Sequence, residues 1–351
     1  MSVQKWISPL QGLDSLRQME DPMPSPGPGE VLVKIHAVSL NYRDVEVVKG
    51  EYKHHKTAEQ DATIVPCSDM CGTIVTVGHD VSQWVVGNRV LSTFLPEHQT
   101  GQVTEKQLAG SLGLPLDGVL ATHRIFPAHG LVQAPEYMSD EEACTLPIAG
   151  VTAWMSINGM RPIGQSGGEN DYILLQGTGG VAIAGLQIAK ASGAKAIITS
   201  SSDEKLEMAK RLGADFTINY RTNPNWEEEV MQFTRGNGVN IILETGGAQT
   251  LRKSFDCIAF GGLINCIGYV SGKVDEADDR LNVNLLALRR TVTLKGIING
   301  PKDRFEEMLR FYERNQIHPE VHRVFSFTEA KEAFKFLESG SHFGKVVIKI
   351  E

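Results

Sequence analysis

The pattern of apolar and polar positions changes partway along the chain. Up to about residue 149, short apolar runs of strand character are separated by turn residues. The clearest is VLVKIHAVSL, which follows the turn cluster PMPSPGPGE, and shorter runs with glycine punctuation come after it, TIVTVG and GNRVLSTF. This pattern predicts a β-rich first domain.

From about Ala149 strands and helices alternate. The predicted strands are YILLQ, AIITS, FTINY, NIILETG, LINCIGY and TVTLKGI, and the predicted helices are GVAIAGLQIAKAS, DEKLEMAKRLG, WEEEVMQFT and LRKSFDCIAF. Such alternation predicts right-handed βαβ units and a parallel sheet covered on both faces. In the first of these helices Val181, Ala184, Gly185 and Ile188 are spaced as one stripe, which is predicted to pack on the sheet.

The last segment has two helical patterns and one apolar strand. The helices are DRFEEMLRFYERNQ and TEAKEAFKFLESG, and the strand is KVVIKI. If this strand returns to the first domain, the alternating segment is an insertion between two parts of that domain.

Length and composition indicate an ordinary two-domain globule. The chain has 351 residues, longer than most single cores, and is 41% hydrophobic and 22% charged. A formal net charge of -8 argues against nucleic acid or an anionic membrane as partner, since both favour a clustered basic face. No apolar run reaches about 18 residues and the N-terminus has no secretory pattern, so a cytoplasmic protein that does not bind membranes is expected.

The five cysteines, scattered and without a CxxC pair, are expected to be buried, reduced thiols rather than disulfides or zinc ligands.

A glycine-rich turn carries the strongest chemical signal. The strand YILLQ runs directly into this turn, a helix follows at once, and Ala182 stands where a third glycine is common. The turn lets the backbone approach a pyrophosphate, which meets unpaired N–H groups at the helix N-terminus. Dinucleotide binding is therefore predicted at Gly177, Thr178, Gly179, Gly180 and Val181.

The end of the second strand favours NADP over NAD. An acidic residue there would hold the adenosine ribose, but this chain has Ser200 and Ser201, which can donate to a 2′-phosphate, and Lys205, which can neutralise it. The alternative is that SSSDEK forms only a loop and a helix N-cap, with Asp203 and Glu204 in the first turn.

Several motifs in order give the chain a specific resemblance. In sequence they are GPGEVLVKIHAVSLNYRD, PCSDMCGTIVTVG, GNRV, TLPIAGVTAW, LLQGTGGV, KRLGADFTINYR and ETGG. This series resembles the medium-chain dehydrogenase/reductase superfamily, in its zinc-independent quinone oxidoreductase and enoyl reductase branch. The resemblance implies an α/β fold, in which a GroES-like β-rich catalytic domain (residues 1–149 and 299–351) is split around a Rossmann domain with a doubly wound parallel sheet (residues 150–298). It also implies an active site in the cleft between the domains and a homodimer, for which RRTVTLKGI would supply an edge strand.

The positions that bind catalytic zinc in relatives differ here. Those enzymes have Cys, His and Cys or an acid where this chain has Asn41, Ser68 and Ile148, none of them suited to tetrahedral zinc. The four-cysteine zinc lobe is also missing between Cys71 and Cys144. No metal is therefore expected. Adjacent His54 and His55 fall in a polar loop, KHHKTAEQD, that is expected to be exposed.

Catalytic candidates come from NYRDVEVVKGEY, which is similar to the NxxD and GxY arrangement of enoyl reductases. The resemblance implies that Tyr52 donates a hydrogen bond or proton to the substrate, while Asn41 and Asp44 act as scaffolding and hydrogen-bonding groups. The alternative for Tyr52 is an ordinary pocket-wall or surface residue.

Further cofactor contacts are implied by the resemblance. Thr152 would lie beside the nicotinamide, Tyr220 against the adenosine phosphate, and Lys345 against the cofactor phosphates. Their alternatives are helix packing, a strand-end aromatic and a solvated lysine. The carboxyl ends of two later strands would also face the cofactor, at Gly246, Ile267, Gly268 and Tyr269.

The predicted function is an NADPH-dependent, metal-free reductase acting on a small-molecule substrate with an activated C=C, such as an enone or enoyl thioester, or on a quinone. One alternative reduces a carbonyl or imine with the same cofactor. Another binds NADPH without turnover.

Overall fold

The computed structural model describes residues 2–53, 63–274 and 281–350, which form two compact units. Unit 1 comprises Met1–Val151 and Gly300–Glu351, and unit 2 comprises Thr152–Asn299. The domain bounds expected from the sequence are 1–149 with 299–351 for the first unit and 150–298 for the second. His54 and His55 lie outside the described residues. None of the helices in the described ranges has the length and apolar character needed to cross a bilayer.

The N-terminal part of unit 1 is rich in strands, as the sequence predicts. Its elements are β1 (Ser2–Ile7), β2 (Arg17–Pro22), β3 (Glu30–Leu40), α1 (Tyr42–Val48), β4 (Asp69–Val77), β5 (Arg89–Ser92), α2 (Glu105–Leu108), β6 (His123–Pro127), β7 (Leu131–Gln133) and α3 (Asp140–Ala143). A π-helical turn (Leu146–Gly150) follows and leads into α4 (Val151–Asn158).

Unit 2 continues with alternating strands and helices. They are β8 (Tyr172–Gln176), α5 (Gly180–Ala191), β9 (Lys195–Ser200), α6 (Asp203–Arg211), β10 (Phe216–Asn219), α7 (Trp226–Phe233), β11 (Val239–Glu244), α8 (Leu251–Cys257), β12 (Ile258–Cys266), α9 (Val283–Arg290) and β13 (Thr293–Gly296). The helix predicted over LRKSFDCIAF is too long, because the buried Ile258 already begins β12.

The C-terminal part returns to unit 1. Its elements are α10 (Lys302–Asn315), β14 (Val321–Ser326), α11 (Ala330–Glu338) and β15 (Lys345–Lys349). β15 pairs antiparallel with β3, in the register Val346 to Leu40, so the last strand does complete the first sheet.

Unit 1 is built on a seven-stranded sheet in the order β14-β15-β3-β4-β5-β7, with β6 also paired to β3. Only β14 and β15 run parallel. Alternate residues of β3, such as Val31, Val33 and Ile35, are fully buried and form the core together with aromatic residues from β6 and α11.

Unit 2 contains a six-stranded parallel sheet in the order β10-β9-β8-β11-β12-β13. The chain moves outward from β8 to β10 on one side and from β11 to β13 on the other. β8 and β11 are therefore neighbours at the point where the strand order reverses, which is where open α/β sheets bind ligands. The predicted fold class is confirmed.

The buried stripe of α5 is shifted from the predicted one. Gly185 and Ile188 are buried as expected, but Val181 and Ala184 remain partly exposed. The buried face is wider than predicted and starts one residue later, and it comprises Ala182, Ile183, Gly185, Leu186, Ile188 and Ala189. Gly185 sets the closeness of this packing, because a Cβ there would lie 2.9 Å from Cδ2 of both Leu175 and Leu243.

Candidate active and cofactor sites

The turn between β8 and α5 leaves open space beside an unsatisfied helix end. Gly177 has φ of 78°, and nothing lies within 4 Å of the position where its Cβ would be. Gly179 precedes α5 as its N-cap and supplies no capping side chain. The first N–H groups of this 12-residue helix therefore suit an anion, and the turn fits a pyrophosphate.

The serine segment lies beside the next strand. Ser200, the last residue of β9, is only 3% exposed, and its Oγ accepts a hydrogen bond from Ser202 N at 3.4 Å. Its carbonyl accepts from Tyr220 N at 3.1 Å, which brings Tyr220 next to it. Ser202 is the N-cap of α6 and accepts from Lys205 N at 3.4 Å, so the capping role considered from the sequence is realised at Ser202.

The accessible polar groups at this edge are those of neighbouring residues. Ser201 is half-buried and Tyr220 is exposed. Lys205 is half-buried, and this burial lowers the pKa of its ammonium, although the charge of Glu204 opposes the shift.

A buried carboxylate organises the point where the strand order reverses. Glu244, at the end of β11, is 1% exposed and accepts five hydrogen bonds. Oε1 accepts from Gly246 N and Gly247 N, both at 3.0 Å, and from the Thr250 hydroxyl. Oε2 accepts from Gln176 Nε2 at 2.7 Å and from the Ser254 hydroxyl. This network joins the end of β8 to the loop after β11.

The loop after β12 packs against the loop after β11. Ile267 N and Gly268 N donate to the carbonyl of Glu244 at 2.9 and 3.3 Å. Gly247 has φ of 95°, and a Cβ there would lie 2.6 Å from Cα of Tyr269. The structure thus brings together the predicted cofactor residues of these two loops, Gly246, Ile267, Gly268 and Tyr269.

Thr152 presents a buried hydroxyl near the start of α4. It is 2% exposed, and its Oγ1 has no hydrogen-bond partner within the described part of the chain. Buried hydroxyls are almost always paired, so an unpaired one fits a ligand that brings its own polar group.

Three polar side chains of unit 1 form a buried group at the ends of neighbouring strands. Lys345 Nζ donates to Asn41 Oδ1 and to the Leu40 carbonyl, both at 2.6 Å. Asn41 Nδ2 donates to Asp69 Oδ2 at 3.0 Å. The carboxylate of Asp69 also accepts from Ser68 Oγ at 2.8 Å and from Ile148 N at 3.1 Å. We call Asn41, Asp69 and Lys345 the polar triad.

Burial shifts the charges of this region. Asp69 is fully buried, which raises the pKa of its carboxyl, while the Lys345 ammonium opposes that shift. Burial lowers the pKa of Lys345, with both carboxylates, Asp69 and Asp44, opposing.

Asp44 lies in α1 next to the polar triad. Its Oδ2 accepts from Asn41 N at 2.8 Å, which caps the helix, while its Oδ1 has no partner among the described residues. Burial raises the pKa of Asp44 to about 6, and the charge of Asp69 adds to this shift. Arg43 and Lys345 oppose it.

Tyr52 packs against a small apolar cluster and lies under the guanidinium of Arg43. The guanidinium of Arg43 lies 4.8 Å from the centre of the Tyr52 ring and 4.9 Å from that of Phe94. Arg43 also donates to the carbonyls of Leu112 and Leu114 at 3.1 and 2.7 Å, which fixes its position. Tyr52 is therefore more constrained than a surface tyrosine.

The residues at the family's zinc positions do not fit a zinc ion. An amide, a hydroxyl and an aliphatic side chain stand at Asn41, Ser68 and Ile148, and the ammonium of Lys345 contacts the Asn41 oxygen directly. In the ranges that the structure describes, no three His, Cys, Asp or Glu side chains form a group able to hold a metal ion.

The predicted contact of Lys345 with cofactor phosphates finds no support in its position. The residue is 5% exposed, and its ammonium donates to two oxygens within unit 1. The reason is its register: Val346 pairs with Leu40, so Lys345 lies beside Asn41 at the end of β3.

Three site residues escaped the sequence reasoning. Gln176 and Glu244 end buried strands one and two residues before a glycine, and Asp69 begins a buried strand directly after Ser68. In all three cases the sequence signal for a site residue was a charged or amide side chain at the end of a buried strand.

Two protein-family models match this chain, one over a segment of unit 1 and the other mainly over unit 2. Residues 27–136 match the family model of the alcohol dehydrogenase GroES-like domain, and residues 180–314 match that of the zinc-binding dehydrogenases. A zinc-type alcohol dehydrogenase-like protein of Schizosaccharomyces pombe is 40% identical over 97% of both chains. An acryloyl-coenzyme A reductase of Sulfurisphaera tokodaii is 27% identical over 94% of this chain and 95% of its own.

Solved structures agree at the level of the whole chain. A Sinorhizobium meliloti protein described as an alcohol dehydrogenase has a TM-score of 0.87 and 36% identity, covering 99% of this chain and 98% of its own. An NAD-dependent alcohol dehydrogenase has a TM-score of 0.85 and 30% identity, covering 99% of this chain and 100% of its own. The chain therefore belongs to the medium-chain dehydrogenase/reductase superfamily, as an oxidoreductase within its pyridine nucleotide-dependent dehydrogenases.

Proposed function

We propose that this protein is an NADPH-dependent, zinc-independent reductase of activated C=C bonds, such as those of enones and enoyl thioesters, or of quinones. The observation that carries the proposal is the polar triad. An ammonium 2.6 Å from Asn41 Oδ1 supplies positive charge at a place where the described residues group no three His, Cys, Asp or Glu side chains for a metal ion. Reduction then relies on hydrogen-bond donors, which suits conjugate reduction.

The dinucleotide would be held by unit 2, and its nicotinamide supplies a hydride when bound. The pyrophosphate fits the N–H groups that follow Gly177, and the unpaired hydroxyl of Thr152 suits the nicotinamide carboxamide. The remaining residues proposed to contact it are Thr178, Gly179, Gly180, Val181, Tyr220, Gly246, Ile267, Gly268 and Tyr269.

We assign the 2′-phosphate of NADPH to Ser200, Ser201 and Lys205. None of these three is acidic, so the position at the end of β9 that would hold an unphosphorylated ribose with a carboxylate has a hydroxyl instead. Because Ser200 is largely buried, Ser201 and Lys205 carry most of the proposed contact. The NAD-dependent relative makes NADH the competing cofactor, to be compared directly.

Three residues of unit 1 are proposed to act on the substrate side. Tyr52 donates a hydrogen bond or proton to the substrate, and Asn41 donates to its oxygen. Asp44 supports Asn41 by accepting its backbone N–H.

The names of relatives support two substrate classes. Acryloyl-coenzyme A reductase acts on a C=C bond, in line with the first candidate. The alcohol dehydrogenase-like relatives are more similar, and their names support the second candidate, an alcohol dehydrogenase-like reductase of a carbonyl or imine, for which NADPH is our proposed cofactor.

The test is a turnover screen with purified protein. NADPH and NADH are each followed at 340 nm with enones, enoyl thioesters, quinones, aldehydes and ketones, and zinc is measured in the same preparation. We expect a higher kcat/KM with NADPH, turnover with an enone or quinone, and less than about 0.1 zinc per chain. Turnover only with aldehydes or ketones selects the second candidate. One zinc per active chain contradicts the metal-free assignment.

We also propose a homodimer formed through the β13 edge of the unit 2 sheet. The second edge of β13 has no strand paired to it in the described ranges. Leu294 on β13 is exposed, and so are Phe260 on the neighbouring strand β12 and Leu288 on α9, each at 75%. An unpaired strand edge, with exposed apolar residues on the elements before it, suits strand pairing with a second copy.

The cytoplasm is the compartment we propose for this activity. All five cysteines are free thiols, and four are buried. Unpaired thiols suit a reducing compartment.

A further inference from the structure

The strand register places the three members of the polar triad side by side. Val346 pairs with Leu40, and Ser39 pairs with Asp69, so Lys345 and Asp69 flank the end of β3 from its two neighbouring strands. Asn41 is the first residue beyond β3. It therefore lies between a side chain that can only donate hydrogen bonds and one that, when ionised, can only accept them.

This flanking fixes which way the Asn41 amide points. Lys345 Nζ faces Oδ1 at 2.6 Å, and Asp69 Oδ2 faces Nδ2 at 3.0 Å. A flipped amide would place its NH₂ group against the ammonium and its oxygen against the carboxylate. Both contacts would be repulsive, and both partners are buried, so their charges are weakly screened. The orientation thus follows from the chemistry of the neighbours.

One hydrogen of the amide then remains for a ligand. Nδ2 carries two hydrogens, and only one is used by Asp69 in the part of the chain that the structure describes. The ammonium draws electron density from Oδ1 and so makes the second N–H a stronger donor. Hydride addition to a C=C conjugated with a carbonyl moves negative charge onto the carbonyl oxygen, and fixed donors stabilise such charge.

We infer that Lys345 and Asp69 are positioning residues that lock the Asn41 side-chain amide so that its second N–H donates to the substrate oxygen as charge develops there, an inference that rests on the proposed reductase function. Neither residue needs to touch the substrate. Lys345 contributes a buried charge acting through the amide, and Asp69 contributes the acceptor that prevents the flip.

The first arm of the test measures orientation without turnover. The two side-chain amide resonances of Asn41 are followed by NMR in chains labelled with ¹⁵N-asparagine, and are assigned by their loss in Asn41→Ser. Lys345→Met should shift both resonances, whereas Lys349→Met, on the exposed side of the same strand, should leave them in place. Unmoved resonances in Lys345→Met would overturn the positioning role.

The second arm measures kcat and KM for Lys345→Arg, Lys345→Gln and Lys345→Met. Arg keeps the charge, Gln keeps an N–H donor without charge, and Met keeps neither. We expect kcat to fall in that order, by about 10- to 100-fold for Met, with the KM for NADPH nearly unchanged. An equal loss in all three variants, or a loss confined to KM, contradicts the inference.

The two arms separate this inference from the proposed function. If the wild-type protein reduces only aldehydes or ketones, the series is run on that substrate, since the same N–H would serve its carbonyl oxygen. If the wild type turns over no acceptor, the proposed function fails and the catalytic part of the inference fails with it, while the NMR arm still decides the positioning part. Should Lys345→Met not fold, Asp69→Asn replaces it, because an amide there no longer fixes the flip.

Discussion

Asp44 combines full burial with one carboxylate oxygen that has no described partner, and this makes its ionisation costly. Burial raises its pKa to about 6 from an ordinary 3.8, with Asp69 adding to the shift and Arg43 and Lys345 opposing it. The pKa of Asp44 is higher in the folded state than in the unfolded state. The contribution of Asp44 to the stability of the fold is therefore complete below about pH 4 and is lost as the pH rises through about 6.

Asp44→Asn removes this titration and keeps an oxygen for the Asn41 N–H. Relative to the variant, the wild type should lose about 2–2.5 kcal/mol of unfolding free energy between pH 4 and pH 7. Urea denaturation of both proteins across that range gives the difference curve. The exposed Asp80→Asn should give a flat curve, and a flat curve for Asp44→Asn would contradict the buried, perturbed carboxyl.

Tyr52→Phe isolates the hydroxyl proposed to donate to the substrate. The ring and its contact with Arg43 are kept, so stability should change by less than about 1 kcal/mol. Loss of a positioned donor should lower kcat by about 100-fold on the best substrate. Steady-state kinetics beside Tyr42→Phe, an exposed tyrosine at the start of α1, provides the comparison. Equal kcat values in wild type and Tyr52→Phe would remove the donor role.

The role of a residue was predictable from the sequence where a local backbone motif determines it. It was less predictable where the role depends on packing between distant segments. Gly177 and its helix follow from a turn that needs φ above zero, and the structure has that turn. The inward position of Lys345 depends on the register between two strands far apart in sequence, which no local pattern contains. Asp69 was missed for the same reason, since its partners come from distant segments.

Among the elements, the loop after β11 depends on one buried carboxylate. Glu244 accepts five hydrogen bonds, three of them from that loop, at Gly246, Gly247 and Thr250. Replacing an oxygen with an NH₂ group sets donor against donor in a buried network. Glu244→Gln should therefore lower the unfolding free energy by about 2–4 kcal/mol and weaken NADPH binding.

Urea denaturation and fluorescence titration with NADPH measure the two effects of Glu244→Gln. Glu228→Gln, on the exposed face of α7, is the matched control and should change stability by less than about 0.5 kcal/mol. If Glu244→Gln behaves like this control, the network does not organise the loop.

Whole elements were predictable where apolar periodicity is strong. The strands and helices from β8 to α7 lie where the sequence places them, because their buried faces are continuous. β14 and β2 have mostly exposed side chains, so they show no alternation for a sequence pattern to reveal. The seven-residue helix α1 is short, and its capping box with Asn41 and Asp44 lies inside a motif that suggested chemistry first.

At the scale of the whole molecule, the order of motifs and the return of the last strand were enough to predict a split first unit. β15 pairs with β3 across most of the chain length, and the inserted unit has its own parallel sheet and its own core. The number of chains in solution is the property of the whole molecule that the proposed dimer predicts.

The edge of the unit 2 sheet provides that test. If β13 pairs with a second copy, charges placed on exposed apolar residues of β13 and of α9 before it should separate the chains, because a buried unpaired carboxylate costs several kcal/mol in a dimer. Leu288→Asp combined with Leu294→Asp should lower the mass measured by sedimentation equilibrium from two chains to one, 38.4 kDa. Val86→Asp, at an exposed valine of unit 1, should leave the dimer intact. A wild-type mass of one chain contradicts the dimer outright, whereas a dimer that survives the double variant shows that the contact lies on another surface.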